Sequence, residues 1–498
     1  MAYKTIKRGL KRTLIFKLHK SPKPPFRRLY VAFLCRIKIY SYLCSRYEKN
    51  RNHLINRKMR KCLFVSLIIV TALCTAGCSN SKNKELARRI RQDQRLQKVD
   101  SMAHELLKQG FNAGSGYSEV WARDLNTFIL ASLDVVPVQE VREALLIFFR
   151  LQQPNGEIID GYVSRDNYNF NGGDSHLYYS PLDSTHIGFK NTVETDQETS
   201  LIQAVYKYIQ KTGDTSILGE QIGEYTVRER MHRMVDYLLN ERYSQEYNLL
   251  YGAMTADWGD VQPYFKTDYE EVGEIVDMNE YSHPAIDVYD NAMFLIALDN
   301  MKELGIATDA EMETYSQIKA QTRKLMWDEQ RQKFRPHIYL STSPIPEGFD
   351  EDEVYCHGGT AVAIEAGLLS REEVARCNSD MLRNVEASGM PSIGLTLYPP
   401  YPDGLFPGGM CKMYVYQNGG DWTWFGGRMI QQLIAYGFVE EAYEEISPML
   451  DRVIENGDFN EWYGQGNKPS GSWKFKGSAG VLSKAIHMLI EWADSTGS

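Results

Sequence analysis

The sequence predicts an all-α fold in which six helical hairpins close into a ring, an (α/α)6 barrel. Three observations lead there. Twelve segments carry apolar residues at helical spacing, and several pair across very short connections. The longer segments between pairs, 153–193, 254–284, 388–419 and 457–476, are rich in Gly, Pro, Asn, Asp and aromatic residues. Loops that long in a compact domain usually carry function, and a ring of hairpins gathers them at one end.

In order, the periodicity predicts helices near 85–108, 123–135, 138–152, 195–212, 222–242, 286–304, 309–327, 354–367, 371–388, 420–436, 438–455 and 477–494. Gly305 and Gly437 separate the members of two pairs, and Glu372-Glu373 opens another helix after Leu368-Leu369-Ser370. Alternating strand patterns are short, the best being hairpins near 244–254 and 334–341. No strong linker interrupts residues 85–498, so they read as one domain.

Charge divides the chain. Of 498 residues, 1–61 hold 19 Lys and Arg against the single acid Glu48, leaving 37 basic and 63 acidic residues beyond. An acidic body repels phosphate backbones, which excludes nucleic acid as its expected partner. Residues 59–77 have a short basic start, an apolar run too short for a comfortable membrane span, and small residues before Cys78. Thr75-Ala76-Gly77-Cys78 resembles a bacterial lipobox, with Thr75 where Leu is commoner. It implies lipid on Cys78, a tether over 78–84 and a place on the cell envelope; an uncleaved anchor helix is the other reading. Residues 1–58 are then a basic leader or an untranslated upstream stretch, with Met59 as the start. Cys356, Cys377 and Cys411 are the only cysteines after Cys78, widely spaced and without a Cys-x-x-Cys. No disulfide framework or zinc site is indicated.

Four loops carry candidate chemistry. In Trp121-Ala122-Arg123-Asp124 an indole can cover a sugar's C–H face while guanidinium and carboxylate grip neighbouring hydroxyls; an ordinary surface ion pair is the alternative. Asp257-Trp258-Gly259-Asp260 sets two carboxyls about an indole, where shielding from water raises a carboxyl pKa as a general acid needs; a helix cap or a calcium-binding turn would look the same. In Gln417-Asn418-Gly419-Gly420-Asp421-Trp422-Thr423-Trp424, paired glycines allow close backbone approach and the aromatics open a helix. In Glu461-Trp462-Tyr463, followed by Pro469 and Gly471, a carboxylate amid aromatics could deprotonate water. Glu194 and Asp196 suit a helix N-terminus or a pocket, as do Asp287 and Asp290. His357 could touch ligand or be a satisfied buried histidine.

As a set these motifs resemble the six-hairpin glycosidases, the superfamily of glucoamylases, trehalases, processing glucosidases and cellobiose-type phosphorylases, over about residues 110–495. Trp121-x-Arg123-Asp124 resembles the glucoamylase-like motif whose Arg and Asp hold the non-reducing-end sugar. Asp257-Trp258-Gly259-Asp260 resembles the Asp-Trp-Asn-Asp loop of the phosphorylases, with Gly259 in place of Asn, whose last Asp is the general acid. Tyr416-Gln417-Asn418-Gly419-Gly420 is similar to a phosphorylase signature. Glu461-x-Tyr463 with Pro469 and Gly471 resembles the loop carrying the general base of the hydrolases.

The resemblance implies an exo-acting, inverting glycoside hydrolase, α-glucoside-directed by default. Asp260 is then the general acid and Glu461 the general base. Trp121, Arg123, Asp124, Asp257, Trp258, Gln417, Asn418, Trp422 and Trp424 bind an oligosaccharide. No cofactor or metal is implied, and nothing indicates oligomeric state. Asp257 is the second candidate acid, or a brace for its loop. A phosphorylase, a lyase or epimerase, and a non-catalytic glycan-binding lipoprotein are the rivals; a Glu at 461 would repel an attacking phosphate.

Overall fold

Apolar residues on every side of a helix demand burial on every side, and this separates two helix populations in the chain. The computed structural model describes residues 81–167, 177–263, 276–407, 410 and 412–496. Residues 59–78, with the signal-like run and Cys78, lie outside them. Asn83–Ser498 forms one compact unit. Among the described residues no helix is long and apolar enough to cross a membrane.

A helical stretch over 81–92 is followed by α1 (Gln94–Leu107), α2 (Ala122–Ser132), α3 (Val138–Arg150), α4 (Gln197–Thr212), α5 (Val227–Glu241), α6 (Val288–Glu303) and α7 (Asp309–Met326). Then come α8 (His357–Glu365), α9 (Arg371–Ser388), α10 (Thr423–Ala435), α11 (Val439–Glu445), α12 (Ser447–Asn456) and α13 (Lys476–Thr496). Helices α2, α4, α6, α8, α10 and α13 pack each against the next, and α13 returns to α2. The result is a helical toroid. In α6 an unbroken run from Val288 to Leu298 is buried, and α8 is buried from His357 to Ile364.

The outer helices are amphipathic. On α7 only Glu311, Ile318, Thr322 and Met326 are buried, and α9 buries Val374, Cys377, Asn378, Met381 and Ser388. Capping boxes seal three of them: Thr226 with Glu229 on α5, Thr308 with Glu311 on α7, and Ser370 with Glu373 on α9. By contrast α2, α4, α8 and α10 have no side-chain cap. Their N-termini face the end of the ring where the long loops meet.

Ring closure is a close approach. A Cβ on Gly480 of α13 would lie 2.3 Å from the Cβ of Phe128 on α2, so only glycine lets these helices meet. Outside them, α1 packs on α13. There Asp100 accepts from Ser483 Oγ at 2.6 Å and meets His487 Nε2 at 3.2 Å, with His104 Nδ1 3.9 Å away.

The predicted helices all form, with local corrections. The first breaks at Asp93, whose side chain caps α1 through the Arg95 amide. The segment 438–455 splits at Ile446 because Pro448, lacking an N–H, restarts it as α12. Helix α5 begins at Val227 rather than 222, since Gln221–Ile222 and Tyr225–Thr226 pair as a small ladder. The expected hairpin at 334–341 does not pair with itself: Phe334 pairs with Trp327, and Ile338–Tyr339 with Pro284–Ile286. An antiparallel four-stranded sheet, not expected, joins β1 (Val120–Trp121), β2 (Gly161–Ser164), β3 (Leu177–Ser180) and β4 (Asp183–Phe189) in the order β1-β2-β4-β3. Cys356 and Cys377 are buried free thiols.

The Asp100 cluster gives the α1–α13 contact a pH dependence. Its hydrogen bond to Asp100 raises the His487 pKa. Burial works against Asp100, but bonds from His487 and Ser483 hold its carboxyl below the usual range. The histidine's contribution is complete below about pH 6.5 and is lost as pH rises through its raised value; the aspartate's is complete above about pH 4 and is lost as pH falls. His487 is partly exposed, so His487→Gln should cost less than about 1 kcal/mol. It should also flatten the decline in melting temperature between pH 6 and 8, as read by calorimetry across that range.

Candidate active site

Five of the six inner helices bring residues to one cavity of about 290 Å³ at their N-terminal ends. That is at the small end of ligand sites. Arg123 and Asp124 come from the first turn of α2, and Glu194 and Asp196 from the residues before α4. Trp258 and Asp260 come from the loop ahead of α6. Gln417, Trp422 and Trp424 come from the entry to α10, and Glu461 and Phe475 from the loop before α13.

Arg123 organises one wall. Its Nε lies 2.6 Å from Asp196 Oδ2, its Nη2 lies 3.1 Å from Asp196 Oδ1, and it also pairs with Glu194. Tyr289 of α6 donates to Asp196 Oδ2 at 2.6 Å. The guanidinium stacks 5.7 Å from the Trp258 ring and 5.8 Å from Trp424. Asp196 thus serves as an ion-pair partner of Arg123 and not as a side-chain cap on α4.

Asp260 is held from both sides by Gln417. The Gln417 amide donates to Asp260 Oδ1 at 2.8 Å and its carbonyl accepts from the Asp260 N–H at 3.4 Å. Asn191 donates to the Asp260 carbonyl at 2.9 Å. The two loops that carry Asp260 and Gln417 bend through left-handed backbone at Asp257 (φ 60°) and Tyr416 (φ 51°), conformations that cost energy and persist where the surroundings over-determine them.

Glu461 is buried and accepts two bonds, from Tyr117 OH at 2.8 Å and from the Ser472 N–H at 2.7 Å. Burial pushes its pKa up, those two donors pull it down, and the nearby Asp260 charge adds to the rise. Asp124 is pushed up to about 7, first by burial; Arg123 opposes this, while Glu461 and Asp260 reinforce it. Two carboxyls far apart in sequence, 260 and 461, therefore line one cavity, and Glu461 senses the Asp260 charge.

The aromatic wall is packed rather than open. Trp258 sits edge-on to Trp422 at 4.9 Å and to Trp424 at 5.0 Å. Trp422 donates to the Tyr416 carbonyl at 3.0 Å and Trp424 to Thr127 Oγ1 at 2.6 Å. Trp121 is more open and pairs with Gly161 across β1–β2.

Two residues assigned to substrate binding belong elsewhere. Asn418 is fully buried, bonded to both the N–H and the C=O of Tyr401, and is absent from the cavity wall. Asp257 does not line the cavity either. Its carboxyl accepts from the Gly358 and Gly359 amides at 2.7 and 2.9 Å, the bracing alternative. His357 is buried, contacts Asn384 at 3.0 Å and is held neutral by burial, its pKa lowered to about 3. Asp287 caps α6 through the Asp290 amide. Tyr117, Asp160, Lys190 and Asn191 were not singled out and are part of the wall. Tyr117 stood in a quoted motif without a role. Asp160, Lys190 and Asn191 lay in a long loop whose signals were its length and its Gly, Pro, Asn, Asp and aromatic content.

No family model and no curated protein sequence matches the chain. Solved structures do. The GH63 mannosylglycerate hydrolase from Thermus thermophilus, in complex with Tris and D-glycerate, aligns with a TM-score of 0.56 and 14% identity, over 77% of this chain and 99% of that one. The same enzyme in complex with glucose aligns with a TM-score of 0.54 and 15% identity, over 78% and 99%. At such identity the likeness is one of fold: this chain has the helical toroid found in glycoside hydrolases.

Gly471 tests the support of Glu461. It has φ +71°, and a Cβ there would lie 2.4 Å from Glu461 Oε2. Gly471→Ala should destabilise the chain by about 1–3 kcal/mol and displace the Glu461 carboxylate from the Ser472 amide. Denaturant unfolding and a crystal structure of the variant check both.

Proposed function

We propose that the chain is an exo-acting glycoside hydrolase built on an (α/α)6 barrel, removing a terminal sugar from an oligosaccharide with inversion. One observation carries the reading. Asp260 and Glu461 line the same sugar-sized cavity, beside a guanidinium and an aromatic wall, on a fold shared with glycoside hydrolases.

Hydrolysis with inversion needs an acid to protonate the leaving oxygen and a base to activate water on the opposite face. Glu461 suits the base. Both its oxygens already accept hydrogen bonds, which favours the carboxylate, while burial makes that carboxylate a stronger proton acceptor. Asp260 takes the acid role, its Oδ1 fixed by Gln417. Asp124, protonated up to about pH 7, can donate to a sugar hydroxyl that Arg123 flanks. Trp121 offers an apolar face to the ring. α-Glucosides are the default substrate. In the same reading Cys78 carries the lipid that holds the enzyme at the cell envelope, and Cys78→Ser should move it from the membrane fraction to the soluble one.

Asp260→Asn and Glu461→Gln should each lower turnover by about 10²–10⁴-fold with melting temperature preserved. Near-normal activity in Glu461→Gln would end the assignment. Activity should rise with pH through the raised Glu461 value, because the base must be ionised. A screen of aryl glycosides and oligosaccharides, with NMR of the first-formed anomer, gives the sugar and the stereochemistry; release of sugar phosphate only when phosphate is present would mark a phosphorylase instead.

A further inference from the structure

We infer that Asp160 reads a hydroxyl of an uncharged sugar ring, and that the cavity excludes sugars bearing a carboxylate, sulfate or phosphate. This rests on the glycosidase reading above. Asp160 joins no motif. Its backbone is pinned: the N–H donates to the Phe189 carbonyl at 2.8 Å, and its own carbonyl accepts from the Ala122 amide at 2.6 Å, at the start of α2. The side chain lines the cavity, and its Oδ1 is buried without a hydrogen-bond partner.

The two cations of the cavity wall are committed elsewhere. Lys190 spends its ammonium on the Ile158 carbonyl at 2.7 Å, Gln197 Oε1 at 3.1 Å and Glu198 Oε1 at 3.2 Å. Arg123 is held by Asp196 and Glu194. Lys190 and Arg123 pull the Asp160 pKa down only through space, and a hydrogen bond from the Asn191 amide pulls it down directly. Burial outweighs them, with the Asp196 charge adding to the rise, and the pKa reaches about 8.

A protonated carboxyl both donates and accepts, as a hydroxyl does. A buried oxygen of this kind without a partner carries a desolvation cost that a ligand hydroxyl would relieve. Asp160 therefore fits a hydroxyl. An anionic substituent finds the opposite. Among the described residues of the wall it meets four carboxyls besides Asp124 and Asp160, at 194, 196, 260 and 461, a Lys190 ammonium whose three bonds are made, and an Arg123 already paired with Asp196 and Glu194.

The experiment compares Asp160→Asn with Asp160→Ala by titration calorimetry against a panel of free neutral hexoses and hexuronic acids, and by kcat/KM on the matching 4-nitrophenyl glycosides. Asn keeps a donor and the shape, so at pH 6–7 it should stay within about threefold of wild type, while Ala weakens binding about tenfold or more. Wild-type affinity should fall as pH rises through about 8, and that of Asp160→Asn should stay level. Hexuronic acids should bind no variant. Wild-type affinity in Asp160→Ala, a tenfold loss in Asp160→Asn with unchanged melting temperature, or a hexuronic acid bound as tightly as its neutral parent would each overturn the inference. If the Ala variant does not fold, Asp160→Ser replaces it. Sugar binding that depends on Asp160 while Glu461→Gln turns over normally removes the hydrolase reading alone; the reverse pattern removes this one alone.

Discussion

One guanidinium holds the site together. Arg123 enters on the first turn of α2, carries two carboxylates from the residues ahead of α4, and through Asp196 reaches Tyr289 of α6. Three of the six inner helices are thereby tied at their N-terminal ends by one network. Removing one member of such a buried set leaves its partners uncompensated, a loss of about 3–5 kcal/mol. Trp258 and Trp424 cover the guanidinium, so the aromatic wall and the charge network are one construction.

Why the fold tolerates so many carboxyls at one end follows from helix direction. Five of the six inner helices present their N-termini to the cavity, and each contributes about half a positive charge there. Leaving α2, α4, α8 and α10 without side-chain caps keeps those amides for the site and its loops; the Gly358 and Gly359 amides of α8 hold Asp257. The outer helices α5, α7 and α9 close their N-termini with their own side chains. The division is partial: the inner α6 is capped by Asp287, and the outer α3 has no side-chain cap.

The helices were legible because burial on this scale writes itself into period 3.6, and because Gly305 and Gly437, both at positive φ, end α6 and α10 where the reading placed the breaks. The β1–β4 sheet was not legible. Its strands are two to seven residues long, and although β3 and β4 form a local hairpin, β1–β2 and β2–β4 pair across distances in sequence that no local pattern records. Motif reading reached Asp260, Glu461, Arg123 and Gln417, which project into the cavity, but it could not tell Gln417 from its neighbour. The backbone turns between Tyr416 at φ 51° and Gly419 at φ 90°, so adjacent side chains point to opposite sides, one to Asp260 and one to Tyr401. Asp257 and Asp260 parted for the same reason.

The deepest limit on sequence reading here is that six like residues have unlike surroundings. Glu194 and Asp196 face the Arg123 guanidinium. Glu461 faces a hydroxyl and an amide, donors that favour the charge while burial disfavours it. Asp260 faces a neutral amide. Asp124 and Asp160 find too few donors to offset burial and are held toward the protonated form. A carboxyl's chemistry is set by what it meets in space, and those meetings join residues up to 344 positions apart, as Tyr117 and Glu461 are. Division of labour among acids is what glycosidic chemistry requires, since proton donor and proton acceptor must coexist within one small volume at one pH. In the proposed reading that division comes from the partners the acids meet, not from a different residue type.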